Sequence, residues 1–132
     1  MKQFKLFSLM LLIILFASCS GGNGPEKVSE KFMKAIYTAN FDEAKSLCTE
    51  DSKQTIDFIA AFAAQKVDEM KKSDVKFEVT NVEISEDGNS AEVLGVIKGS
   101  LDLESGSAIE SKEEKVQLKK VDDKWLVENK LK

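Results

Sequence analysis

The chain has 132 residues, enough for one domain built around one hydrophobic core. Its 19 basic residues are all Lys and face 23 Asp and Glu, giving a net charge of −4 with no His. Without Arg there is no forked guanidinium for phosphates and base edges, which argues against a nucleic-acid partner. Without His, the usual base for a nucleophilic Ser or Cys is absent.

The first eighteen residues have the layout of a secretory signal. Lys2 and Lys5 flank Phe4, residues 6–16 are apolar except for Ser8, and the small residues Ala17 and Ser18 precede Cys19. The apolar run falls well short of the roughly 20 residues needed to span a bilayer. Its closing "FASC" resembles the lipobox of bacterial lipoproteins, with Phe16 where Leu is commoner. That resemblance implies that Cys19 takes a diacylglyceryl group, that residues 1–18 are removed, and that the new amino end is acylated, commonly with palmitate. A plain secretory leader with a Cys near its cut site is the alternative. Each buried methylene adds about 0.8 kcal/mol, so two or three chains anchor durably where one does not.

Residues 19–24, "CSGGNG", then read as the lipidated Cys and a flexible tether. Loss of Lys2 and Lys5 leaves 17 Lys against 23 acidic residues, a balance of −6. By the sorting rules of that lipoprotein pathway, Ser20 in place of a retaining Asp implies the outer membrane. The lack of an acidic run in "SGGNGPEK" implies the periplasmic side.

Residues 25–132 read as a single α+β domain. Pro25 suits a first helical position and Glu26 complements the positive helix end. Val28, Phe32 and Ile36, with Met33 and Ala35 alongside, predict one amphipathic helix ending near Ala39 and Asn40. Phe41, Ala44, Leu47 and Cys48 predict a short second helix. From Thr49 onward, Ile56, Ile59, Ala60, Ala63, Val67 and Met70 form the stripe of a long third helix. Phe58 and Phe62 form a neighbouring ridge, a wide apolar arc that predicts cover on more than one side.

The remainder alternates. Val75, Phe77 and Val79 are out of phase with Val82 and Ile84, which predicts a bulge at Thr80 and Asn81. "SEDGNS" supplies a turn at Asp87 and Gly88. The next strand, residues 91–103, is apolar on both faces, with Ala91, Val93 and Ile97 on one and Leu94 and Val96 on the other, and Gly95 and Gly99 let it curl. A reversal around "ESGS" leads to a third, more polar strand marked by Val116 and Leu118. "KKVDDKW" turns into a last strand carrying Trp125, Val127 and Leu131. Four antiparallel strands with two bends predict a curved sheet wrapped on the long helix.

The stretches "PEKVSEKFMKAIYTANFDEAKSLCTEDSK" and "LKKVDDKWLVE" resemble small bacterial lipoproteins carrying a domain of unknown function (DUF4878) of the nuclear-transport-factor-2-like (NTF2-like) superfamily. Phe32, Ala35, Phe41, Ala44 and Trp125 carry the resemblance, and Asp123 stands where that group often has a turn Gly. The resemblance implies a cystatin-like or NTF2-like cone with helices packed on a curved four-stranded antiparallel sheet around an apolar pocket. Enzymes of that superfamily, among them dehydratases and isomerases, hold carboxylate, His or Tyr groups in the pocket.

Candidate pocket residues are Tyr37, Phe58, Phe62, Asn81 and Trp125. Tyr37, the single Tyr, reads as a rim residue with its hydroxyl toward solvent. Asp57 reads as outward-facing, and Asn81 as a bulge residue able to be re-aimed toward a site. Cys48 reads as a small buried hydrophobe, since no His can serve as its base. No spacing of Cys, His or acidic residues calls for a metal, and nothing calls for a cofactor. The expectation is a lipid-anchored cell-envelope protein, a non-enzymatic module for a small apolar ligand or a protein partner. A partner or second copy would use Leu94 and Val96 on the outer sheet face. The alternative is a cone enzyme of dehydratase or isomerase type, which requires an acid or the Tyr37 hydroxyl inside a cavity of at least a few hundred cubic ångströms.

Overall fold

The computed structural model describes residues 24–102 and 107–129. The expected signal peptide, Cys19, most of the tether, the "ESGS" reversal apart from Ser107, and Leu131 lie outside them. The elements are α1 (Pro25–Tyr37), α2 (Phe41–Ser46), α3 (Lys53–Phe62), α4 (Val67–Lys71), β1 (Lys76–Ile84), β2 (Ser90–Leu101), β3 (Ala108–Val121) and β4 (Lys124–Val127), with 3-10 turns at Glu50–Ser52 and Ala64–Lys66. No helix among the described residues is long and apolar enough to cross a membrane.

α1 forms as its spacing dictates. Pro25 opens it, Glu26 and Lys34 sit at the ends that suit their charges, and Val28, Phe32, Met33, Ala35 and Ile36 are buried along one stripe. Its end is a Schellman motif: Asn40 N–H donates to Ala35 O at 2.8 Å, Ala39 N–H donates to Ile36 O at 3.3 Å, and Ala39 takes φ +63°.

The long third helix of the sequence reading is broken. α3 stops at Phe62, Ala63 adopts φ −92° and ψ 3°, and a 3-10 turn precedes the five-residue α4. Ala63 and Met70 are fully buried with Ala39 in a small satellite core, flanked by Phe41, Val67 and Leu101. A straight helix places residues 63 and 70 almost on one line along its surface; the break instead folds the segment around the end of α1.

The sheet is an antiparallel meander in the order β1-β2-β3-β4. Its register shifts between Val79 and Asn81, so Val79 faces Gly95 while Asn81 faces Leu94. This one-residue bulge keeps both Phe77 and Val82 on the buried side. Gly95 is needed there, because a Cβ would lie 2.5 Å from the Phe77 ring and 2.7 Å from Glu78 O. Gly99, at φ +78°, passes so close to the Asp74 carbonyl that a side chain would collide with it.

The main core lies between α1 and the inner sheet face, where Phe77, Val82, Ile84, Ala91, Val93, Ile97, Val116, Leu118 and Val127 meet the α1 stripe and Ile56 of α3. The sheet therefore wraps on α1, rather than on the third helix as the sequence suggested. β4 is not left as a bare edge: Val127 N–H donates to Leu47 O at 2.8 Å, and Thr49 N–H donates to Val127 O at 2.9 Å. Asn129 N–H then donates to Ser52 Oγ at 2.8 Å, tying the end of the described chain to the start of α3.

Candidate functional site: the cavity between α1 and the sheet

A cavity of about 270 Å³ opens between α1 and the β3 and β4 strands. Phe32, Met33 and Ile36 form its helix wall, Val116 and Val127 its sheet wall, and Ile59 of α3 closes one side. The volume sits just below the usual range for small-molecule sites, and an apolar void of about 150 Å³ already accepts benzene.

The mouth is polar. Tyr37, the last residue of α1, donates its hydroxyl to Glu114 Oε2 at 2.9 Å, joining the helix to the sheet. Glu114 reaches this position through strand parity, two and four residues before the inward-facing Val116 and Leu118. Lys112 Nζ approaches the same Oε2 at 3.4 Å. Burial holds the Tyr37 hydroxyl above its ordinary titration range, and the neighbouring Glu114, its hydrogen bond and Asp102 push it the same way. At neutral pH the phenol is thus a fixed donor and the carboxylate its acceptor.

Of the five pocket candidates read from the sequence, Tyr37 lines this cavity. Its hydroxyl turns to Glu114, not to solvent, because the sheet curls close enough to offer a carboxylate. Phe58 and Phe62 stand outside with 59% and 56% exposure. α3 packs through Thr55, Ile56 and Ile59, and its end at Phe62 removes the second covering layer that the wide apolar arc implied. Asn81 is exposed at the bulge, on the strand position opposite Leu94. Trp125 is half-buried against the core, with Lys120 Nζ 5.5 Å from its ring centroid, and does not line the cavity.

Asp57 points outward as expected and pairs with Lys45 at 2.7 Å. Cys48 is buried with its thiol toward Lys45 O at 3.4 Å, and burial raises its titration range, the opposite of an activated nucleophile. Among the described residues no group of three acidic, His or Cys side chains is placed to hold a metal ion. Glu114 was not read from the sequence as a site residue. It lies in "SKEEK", a run that looks like a solvated face; only its parity with Val116 and Leu118 marks it as inward.

Residues 18–128 match the model of a family described as a domain of unknown function (DUF4878). The chain belongs to that family. No curated protein matches it. Among solved structures, a proposed NTF2-like transpeptidase from Campylobacter jejuni is similar at TM-score 0.56 and 21% identity, over 80% of this chain and 98% of that one. A protein of unknown function with a cystatin-like fold from Nostoc punctiforme is similar at TM-score 0.51 and 11% identity, over 77% of this chain and 81% of that one. At these identities the likeness concerns the fold, and it establishes the α+β, NTF2-like and cystatin-like architecture for this family member.

Proposed function

We propose that this DUF4878 chain is a lipid-anchored, non-enzymatic binding module of the cell envelope whose cavity takes a small, mostly apolar ligand. The single observation that carries the binding reading is a cavity with one apolar side, formed by Phe32, Ile36, Ile59 and Val116, and one polar side that holds the hydrogen-bonded Tyr37–Glu114 pair. Apolar walls with few placed polar groups are the usual make-up of a small-molecule site. The anchor rests on the lipobox-like "FASC" and the short apolar run before it. Its sorting signals favour the outer membrane, facing the periplasm.

Two other readings are weaker. Leu94 and Val96 on the outer sheet face are half-covered, and the cross-strand ion pairs Glu78–Lys98 at 3.0 Å and Glu92–Lys115 at 3.7 Å run beside them, so that face offers a protein partner or second copy little apolar area. The Tyr37–Glu114 pair in a cavity is the feature a dehydratase or isomerase would need. Acid–base catalysis works best with groups titrating near the working pH, and the phenol is moved away from it. The activity in the Campylobacter protein's name would need an activated nucleophile, and buried Cys48 does not supply one.

The single Tyr makes the test direct. With 3-fluorotyrosine incorporated at Tyr37 of the full chain in lipid nanodiscs, cyclohexanol should shift the one protein fluorine resonance saturably. No shift up to millimolar probe would contradict the binding reading. For the anchor, Cys19→Ala should move the protein out of the membrane fraction; unchanged fractionation would contradict lipidation at that residue.

A further inference from the structure

We propose that the ligand of this cavity carries a cationic amine head on a compact apolar body, with Glu114 as its counter-ion and Tyr37 holding that carboxylate in place. The inference rests on the binding reading above and adds the chemical class of the ligand.

The first observation is which oxygen is already engaged. Tyr37 donates to Glu114 Oε2 and Lys112 Nζ approaches that same oxygen, so both contacts fall on one side of the carboxylate. A carboxylate offers about four acceptor sites over its two oxygens. Oε1 is left to accept from a ligand while Tyr37 fixes the group's orientation. The Lys112 contact is loose, at 3.4 Å with a lysine side chain that is 54% exposed, and an ammonium held there at a surface can be exchanged for another.

The second observation is the sign of the mouth. Glu114 lines the cavity; Glu128 lines it too but has an interaction of its own within the chain and adds no free charge. Lys115 also borders it, but its ammonium pairs with Glu92 at 3.7 Å on the other side of the sheet. Asp102 lies near enough to the Tyr37 hydroxyl to disfavour negative charge there. An anionic head would meet the Glu114 carboxylate, which already takes the Tyr37 hydroxyl as its donor. A neutral hydroxyl could donate to Glu114, but a charge-assisted bond is about twice as strong. The walls beyond, Phe32, Ile36, Ile59 and Val116, have no charge to offer and suit a hydrocarbon body of ring size.

The test uses the full chain in nanodiscs with the fluorotyrosine resonance at Tyr37 as readout, and cyclohexylamine, cyclohexanol and cyclohexanecarboxylate as probes of one shape and three heads. The amine should bind at least about tenfold more tightly than the alcohol, and the carboxylate more weakly than either. Glu114→Gln should lower amine affinity about tenfold more than alcohol affinity. Lys112→Ala should raise amine affinity, because the competing ammonium is gone. Equal binding of amine and alcohol in the unaltered protein, or an amine preference that survives Glu114→Gln, would overturn the cationic head and leave the binding reading standing. If none of the three probes moves the resonance, the binding reading itself fails and the amine head with it.

Discussion

The Tyr37 hydroxyl is where helix and sheet meet chemically, and its state has a consequence for stability. Burial and Glu114 raise its titration range in the folded chain, so above about pH 10 the folded chain keeps a proton that the unfolded chain has lost. The stabilisation is complete below that pH and declines as pH rises further. Cys48, also raised by burial, begins a similar decline from about pH 9. Urea unfolding at a series of alkaline pH values should therefore show a shallower loss for Tyr37→Phe than for the unaltered chain above pH 10, with parallel curves below it. Curves parallel throughout would show that the hydroxyl is not held as described. Tyr37 itself could be singled out from the sequence because it is unique and lies on a helix. Its partner could not: a Glu in a run of four charged residues looks solvated until the register of β3 is known, and register depends on pairing with β2 across the whole sheet.

At the scale of elements, local pattern was a good guide wherever one face met one core. The α1 stripe, the β1 bulge and the turn at Gly88, with φ +74°, each follow from residues a few positions apart. The third helix was misread because its length depends on a distant event, the burial of Ala63 and Met70 against Ala39. The break gives α3 two unlike faces, and the difference is measurable. Ile56→Ala removes a fully buried side chain and should cost about 2–5 kcal/mol. Phe58→Ala, two residues along, removes a larger side chain that is mostly exposed and should change stability by less than about 0.5 kcal/mol. Chemical denaturation of both variants settles the comparison; a large loss for Phe58→Ala would mean that something covers that ridge.

For the whole molecule, the order of elements and the alternation in the second half were enough for the α+β class, because a meander with one apolar face must be closed by helices on that face. What the sequence could not supply was which helix closes it and how much room is left. That room is the difference between wall positions set by backbone paths far apart in the chain, from Phe32 on α1 to Val127 on β4. It is also the centre of the functional account, since the proposed binding role holds only if the space is a receptor for an apolar body. A crystal of the protein pressurised with xenon tests this most directly. Anomalous density between Phe32, Ile36, Ile59 and Val116 is the expected result, as apolar cavities take up xenon; a chain of ordered waters filling that space, with no xenon, would contradict it.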